Sequence, residues 1–255
     1  MQIAITRAVS AALAQCELSF VDRAPIDLAL ARVQHAGYVR ALAALGCEVI
    51  ELPAQDALPD AVFVEDVALV FDEVAVMTRP GAASRRAEGA TVEPVLAQYR
   101  EIRRIHGPGS IDGGDVLRIG RDVYVGASAR SNPQGIAQLG ELLAPFGYRV
   151  QAVNTHGCLH LKSAVTQVAD DTVLIQPAWL DDTLFRRYRR IEIDATEEHA
   201  ANALRVGAGI VYPACFPRTA QKLAAAGIAV TAVDVSELQK AEGAVTCCSL
   251  VFNAA

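Results

Sequence analysis

Residue types suited to nucleophilic catalysis recur just ahead of apolar strand runs along this chain of 255 residues. Asp66, Asp112 and His160 each precede such a run, and Cys247 precedes the last one, in AVTCCSLVFN. A cysteine thiolate attacks an electrophilic carbon, while a histidine held by a carboxylate moves the protons. These residues therefore predict covalent catalysis by Cys247, provided that the fold brings them together.

The acidic residues at these positions indicate the charge of the substrate. Glu65, Asp66 and Asp112 would surround the thiol with negative charge, whereas an ester or amide substrate would need an oxyanion hole. Carboxylates instead accept hydrogen bonds from the N–H groups of a guanidinium. The pattern favours a cationic substrate of this kind over the alternative of an unrelated cysteine hydrolase acting on amides.

Each of these residues, taken alone, also has an ordinary structural explanation. A cysteine before a strand is commonly a core residue, and an aspartate before two glycines is commonly a turn residue. A histidine between two leucines, as His160 is, commonly belongs to the core. Cys248 is expected to face the opposite side of a strand from Cys247 and to have a packing role. These residues recur at the same position of each repeat, and this recurrence favours a functional site. On this pattern alone, both the structural and the functional explanation remain open.

The elements that would position these residues form a repeat of hairpin, helix and strand. Polar turns divide apolar runs into hairpins spaced by roughly 40 to 50 residues, and three of the helix-period stretches that follow end at a glycine. The four complete hairpins are 67–80, 115–128, 162–177 and 201–214, and the runs 3–6 and 248–253 would pair as the fifth. We predict one α/β domain over residues 1–255, a five-bladed ring closed by its two termini.

Composition narrows the class of protein. Hydrophobic residues make up 52% of the chain and the formal net charge is -6, with no basic block, so we expect no nucleic-acid partner. There is no apolar run of membrane-spanning length, and MQIAITRAVS reads as a first strand rather than a signal peptide. The six cysteines include no CxxC pair, which favours reduced thiols and a cytoplasmic location.

The chain resembles the dimethylarginine dimethylaminohydrolases. The resemblance rests on DAVFVEDVAL, RPGAASRR, SIDGGDVLRIGRDVYVGASARSN, LHLKS, AAN and AVTCCSLVFN, which run from residue 60 to the C terminus in the family's order. It implies the pentein fold, a five-bladed α/β propeller. It also implies hydrolysis of Nω-methylated arginines to citrulline and a methylamine through a covalent thiouronium, without a metal or other cofactor. The expected partner is then a small-molecule methylarginine, and the expected biological context is nitric oxide regulation. A homodimer is a candidate assembly.

The resemblance implies a role for each matching residue. Cys247 would be the nucleophile, His160 the acid and base, and Asp112 the catalytic carboxylate. The residues that would contact substrate are Leu18 and Asp60 at the amino end, Phe63 in the pocket wall, Glu65 and Asp66 at the guanidinium, and Arg85 and Arg130 at the α-carboxylate. Residues 16–25 match a lid loop over the site.

Two further classes of protein remain as alternatives. Another guanidine-modifying pentein, such as an arginine deiminase or an amidinotransferase, would share the same cysteine, histidine and acid, although deiminases usually have a longer chain. A non-catalytic ring protein that binds ribosomes would lack the cysteine and histidine and would show basic patches.

The state of the thiol is a separate expectation. Burial and acidic neighbours predict a neutral Cys247 thiol in the free enzyme, which ionises when a cationic substrate arrives. An imidazolium at His160 is not expected to suffice, because it would have to be retained at neutral pH.

Overall fold

The computed structural model describes residues 1–254 and contains five three-stranded sheets with helices between them. The strands are β1 Gln2–Arg7, β2 Cys47–Leu52, β3 Ala68–Val70, β4 Val74–Met77, β5 Glu101–Arg104, β6 Val116–Ile119, β7 Asp122–Ala127, β8 Arg149–Asn154, β9 Val165–Ala169, β10 Thr172–Ile175, β11 Arg189–Glu192, β12 Leu204–Val206, β13 Gly209–Pro213, β14 Ala229–Val233 and β15 Leu250–Asn253. The α-helices are α1 Leu28–Ala44, α2 Glu93–Leu96, α3 Pro133–Leu143, α4 Leu161–Ala164, α5 Pro217–Ala225 and α6 Ser236–Gln239. Within the described residues, no helix combines the length and the apolarity needed to cross a membrane.

All five sheets have the same topology. In each, the middle strand pairs antiparallel with the first strand and parallel with the third. Four sheets use consecutive strands, whereas the fifth has the order β15-β1-β2, with Phe252 opposite Ile3 and Leu250 opposite Ile5. The predicted hairpins, the third strands and the pairing of the two termini are therefore confirmed. A helix follows the hairpin in four units, whereas the described residues between β10 and β11 form only two 3-10 turns, Pro177–Trp179 and Asp182–Phe185.

The first strand of each sheet faces one common channel of about 1030 Å³, whose walls are β3, β6, β9, β12 and β15. Neighbouring first strands also contact one another, as β9 does with β6 and β12. The loops that lead into the five first strands are consequently gathered at one end of this channel. These loops carry the residues singled out in the sequence.

Local sequence signals explain where the longer helices begin and end. The side chain of Asp27 accepts hydrogen bonds from two backbone N–H groups at the start of α1, and that of Asn132 accepts one, from Gly135, at the start of α3. Gly46, Gly147 and Gly227 follow helical segments with φ of 94°, 76° and 85°, which a residue with a Cβ adopts only at a cost. These three glycines turn the chain into the third strand of a sheet, as the sequence predicted.

Two local predictions from the sequence were wrong. The stretch VEPVLAQYR, residues 92–100, has helical periodicity, but its helix is limited to α2, and the guanidinium of Arg100 donates to the carbonyls of Phe71 and Asn253. Strand alternation was expected to turn Cys248 away from Cys247, but β15 begins only at Leu250. The cysteine pair lies in a turn closed by a hydrogen bond from the N–H of Cys247 to the carbonyl of Ala244, so strand alternation does not decide which way the two thiols point.

Candidate active site

The loops at one end of the channel line a small pocket. Its walls are Glu17, Asp60, Phe63, Asp66, Arg85, Arg130, Leu159, His160, Ala241, Glu242, Gly243 and Cys247. The pocket volume is about 20 Å³, which holds about one water molecule. The structure therefore shows a closed site, and the lid or side chains must move before a substrate enters.

His160 and Asp112 form a buried pair beside this pocket. The Nε2 atom of His160 lies 3.1 Å from Oδ2 of Asp112, whose Oδ1 accepts a hydrogen bond from the N–H of Gly81 at 2.8 Å. A Cβ on Gly114 would stand 2.5 Å from the His160 ring. Gly114 thus allows the backbone to approach the imidazole closely, and Gly113 lies in the same way against the backbone of Glu65. Close packing is a more specific reason for these glycines than a turn.

The charge on His160 is set by carboxylates on several loops. Burial lowers the pKa of His160, but Asp66, the hydrogen bond that the ring donates to Asp112 and nearby Asp115 together raise it to about 9. The imidazolium is therefore retained at neutral pH. The sequence did not predict this, because it does not show how many carboxylates face one ring.

Asp66 is already bound to a guanidinium, which belongs to Arg85. Nη1 of Arg85 lies 2.6 Å from Oδ2 of Asp66, and its Nε and Nη2 contact Glu88. Burial raises the pKa of Asp66, but Arg85 and His160 outweigh it and hold the pKa at about 2. Arg85, assigned to a substrate carboxylate by the resemblance, is in this closed site paired with the protein's own carboxylates.

Cys247 lies in a turn that neighbouring loops hold in place. The N–H of Glu65 donates to the carbonyl of Cys247 at 3.1 Å, and Asn202 binds both the N–H and the hydroxyl of Thr246. Burial, followed by the charges of Glu65 and Asp66, raises the pKa of the Cys247 thiol to about 12. Burial and the carboxylates thus keep the Cys247 thiol neutral, as the sequence predicted, in the same pocket that contains the His160 imidazolium.

Glu65 and Asp66 are separated by the wall between pocket and channel. Glu65 accepts from Lys162 at 2.5 Å and from Thr246 at 2.8 Å, and these three residues line the channel rather than the pocket. Residues 64–67 form a 3-10 turn, in which successive side chains point in different directions. The structure therefore does not bring Glu65 to the place expected for a substrate guanidinium.

The predicted lid, residues 16–25, lies against the pocket without regular secondary structure. The N–H of Glu17 donates to Asp60 at 3.1 Å, and Nη2 of Arg130 donates to the hydroxyl of Ser19 at 3.0 Å. Leu18 packs against the apolar cluster that contains Phe63 and Cys247, but it is not part of the pocket wall. Of the ten residues predicted for the site, seven line the pocket, whereas Asp112, Glu65 and Leu18 contact residues of its wall without lining it.

Asp66, Asp112 and His160 also satisfy a loose criterion for binding a metal ion. One donor atom from each lies within 4.8 Å of the other two. Asp66 is engaged by Arg85, and the pKa of His160 keeps its ring protonated, a state that offers no lone pair to a metal. This arrangement is more typical of a proton-transfer site than of a metal centre.

Sequence reasoning missed several residues that support the site. Asp115 is buried and accepts hydrogen bonds from Ser128 and from the N–H of Leu161, next to His160. Two of these residues lie in motifs that the sequence analysis had already singled out. Asp115 is the sixth residue of SIDGGDVLRIGRDVYVGASARSN, and Asn202 is the last residue of AAN. No motif in the sequence indicated a role for Glu242, because its hydrogen bonds are with the lid, more than 220 residues earlier in the chain.

Known proteins are similar to this chain over most of its length. The family model described as arginine deiminase matches residues 54–211. A Streptomyces coelicolor protein named N(G),N(G)-dimethylarginine dimethylaminohydrolase is 42% identical over 250 residues, which cover 97% of this chain and 95% of that protein.

Two solved structures extend the comparison to the fold. Dimethylarginine dimethylaminohydrolase from Pseudomonas aeruginosa, a cysteine-to-serine variant complexed with citrulline, is 34% identical, with a TM-score of 0.93 and coverage of 98% of both chains. A dimethylarginine dimethylaminohydrolase adduct with S-methyl-L-thiocitrulline is also 34% identical, with a TM-score of 0.95, and covers 99% of this chain and 100% of that one. The chain therefore belongs to the dimethylarginine dimethylaminohydrolase family, within the wider group of arginine deiminase relatives.

Proposed function

We propose that this protein hydrolyses Nω-methylated arginines, asymmetric dimethylarginine and monomethylarginine, to L-citrulline and dimethylamine or methylamine. The observation that carries the proposal is the buried Asp66 carboxylate, which binds the guanidinium of Arg85 at 2.6 Å in the pocket that contains Cys247 and His160. A substrate guanidinium would take the place of the Arg85 group. Arg85 would release Asp66 and bind the α-carboxylate of the substrate, together with Arg130.

The first half of the reaction forms a bond to sulfur. The substrate cation favours ionisation of the Cys247 thiol, whose proton leaves to water because His160 is already protonated. The thiolate attacks the guanidinium carbon, which Asp66 and Asp112 would hold in position. The His160 imidazolium then gives its proton to the departing amine nitrogen. Dimethylamine leaves, and the carbon remains bound to the sulfur as an S-alkylthiouronium.

The second half releases the product. Neutral His160 takes a proton from water, and the resulting hydroxide attacks the thiouronium carbon. The carbon–sulfur bond breaks, the hydroxyl proton of the tetrahedral adduct passes to the sulfur, and citrulline leaves. Cys247 is then a thiol and His160 an imidazolium, as at the start. Asp112 orients the ring throughout, and the high pKa of His160 suits it to the acid step that comes first.

Citrulline formation from dimethylarginine, monomethylarginine and arginine, measured side by side, tests the proposal. We expect turnover of both methylated substrates and little turnover of arginine, with Cys247→Ser as the inactive control. A clear preference for arginine, with ammonia as the second product, would identify an arginine deiminase-like enzyme instead. Transfer of the amidino group to an added amine would identify an amidinotransferase.

Ionisation of the thiol on substrate binding has its own test. A charged amidine that resists hydrolysis should lower the apparent pKa of Cys247, whereas neutral citrulline should not. The ultraviolet absorbance of the thiolate, compared between wild type and Cys247→Ser, measures this. A thiolate fully formed at pH 7 in the empty enzyme would contradict the mechanism and favour a preformed ion pair with His160.

We also propose that residues 1–255 are one catalytic domain that works in the cytoplasm as a homodimer. The shared channel and the paired termini support a single domain, and six free cysteines support a reducing compartment. Removal of methylarginines would connect such an enzyme to nitric oxide regulation. Sedimentation of the purified chain would distinguish monomer from dimer.

A further inference from the structure

The two carboxylate oxygens of Glu242 have different environments. Oε1 accepts hydrogen bonds from three successive lid N–H groups, those of Ser19, Phe20 and Val21, at 2.8, 2.5 and 2.9 Å. Oε2 is buried and finds no hydrogen-bond partner among residues 1–254. A buried carboxylate oxygen without a partner is unfavourable, so a donor from outside the chain is the natural complement.

The backbone at Glu242 is unusual as well. Its φ is 58°, and within residues 1–254 it is the single non-glycine residue with a positive φ. A residue with a Cβ adopts this conformation at a cost, and such strain tends to occur at functional sites. Gly243, which would suit the conformation better, stands next in the chain and also lines the pocket.

The surroundings of Glu242 are acidic. Glu17 and Asp60 line the same pocket, and Asp60 accepts a hydrogen bond from the N–H of Glu17 at 3.1 Å. Glu17 also accepts from the hydroxyl of Ser84. Three carboxylates, with Glu17 of the lid among them, therefore line one small pocket together with Arg85 and Arg130. This setting suits a ligand that carries an ammonium, with several N–H donors, beside a carboxylate.

We propose that Oε2 of Glu242 accepts a hydrogen bond from the α-ammonium of the substrate, while Oε1 holds the lid closed. A single carboxylate then couples lid closure to recognition of the amino end. The inference rests on the proposed function, which supplies an amino-acid ligand. A ligand without the α-amino group leaves Oε2 unpaired beneath the closed lid and is disfavoured.

Equilibrium binding of citrulline and of 5-ureidopentanoate, which lacks only the α-amino group, tests the recognition. Wild type should prefer citrulline, and Glu242→Gln should reduce that preference by roughly 10- to 100-fold, because the charge is lost while the lid acceptor remains. Asp22→Asn, which removes an exposed charge from the same lid, should leave the preference unchanged. An unchanged preference in Glu242→Gln overturns the proposal.

Hydrogen exchange of the amides of residues 19–21 tests the lid contact. Glu242→Gly should expose these amides, while Glu242→Gln should keep most of their protection. Glycine also relieves the strained φ, so loss of protection without loss of thermal stability excludes general unfolding. Unchanged exchange in Glu242→Gly would refute the contact between Glu242 and the lid.

Both measurements are independent of turnover. A wild type that prefers citrulline and protects its lid amides, but hydrolyses no methylarginine, would therefore count against the proposed function alone.

Discussion

Charged side chains pair at both the pocket end and the hairpin-turn end of the channel, but in different surroundings. At the pocket, Arg85 and Asp66 lie 2.6 Å apart with side chains 6% and 3% exposed. At the turns, Arg205 and Asp170 are also 2.6 Å apart, with side chains 29% and 95% exposed. The two pairs have the same separation but different interaction energies, because water screens the exposed pair and not the buried one.

This contrast explains why one end is suited to chemistry. Where charges are buried, the loss of one partner leaves the other without compensation, and pKa values move far from their ordinary range. His160 and Asp66 show such shifts, in opposite directions. Exposed ion pairs contribute little to stability, and water screens their effect on the pKa values of neighbouring groups.

The largest expected effect is at the cysteine pair. Cys247→Ser should fold normally and lose at least about 10³-fold in turnover, since it removes the nucleophile. Cys248→Ser should keep most activity, because this thiol is fully buried against the carbonyl of Ala244 and lies outside the pocket wall. Steady-state kinetics of both variants measure the difference. Equal losses with intact structure would refute the assignment of the nucleophile.

The two arginines near the substrate site should behave differently. Arg85→Ala leaves Asp66 and Glu88 buried without their cation, so it should lower the free energy of unfolding by about 3 kcal/mol. Arg130→Ala removes a half-buried side chain and should mainly raise KM for dimethylarginine, by about 10- to 100-fold. Urea unfolding and kinetics separate these effects. Similar stability in both variants would contradict the contrast between buried and exposed charges.

The imidazolium of His160 should make stability depend on pH. Its pKa is about 9 in the folded protein and near 6.5 when unfolded, so its contribution is complete below about pH 6.5 and disappears as the pH rises through 9. The stability advantage of wild type over His160→Gln should therefore shrink by an amount on the order of 3 kcal/mol between pH 6 and 10.

Urea unfolding of both proteins across that range measures the change. His156→Gln, at an exposed histidine, provides the matched control. An advantage that stays constant or grows with pH would show that His160 is neutral in the folded state.

The smallest effect is expected at the hairpin turns. Arg205→Ala and Arg118→Ala remove exposed pairs with Asp170 and Asp72, and each should change the free energy of unfolding by less than about 1 kcal/mol. Turnover should stay at the wild-type level. A loss as large as that of Arg85→Ala would show that the turn end also depends on its charges.

Much of the fold was predictable because its signals are local. Alternating apolar runs, polar turns and helix-ending glycines act over a few residues, so the repeat of hairpin, helix and strand was visible in the sequence. The prediction failed at the cysteine pair and in the stretch before Arg100. In both places contacts from distant segments fix the chain in turns.

The sequence by itself determined the five repeats, the pairing of the termini and the recurrence of acid, histidine and cysteine at one repeat position. Only the tertiary structure decided that Asp66 faces the pocket and Glu65 the channel, that His160 is held as an imidazolium, and that Glu242 reaches the lid. The physical reason is that burial and charge interactions depend on distances between residues far apart in the chain. No local pattern encodes those distances.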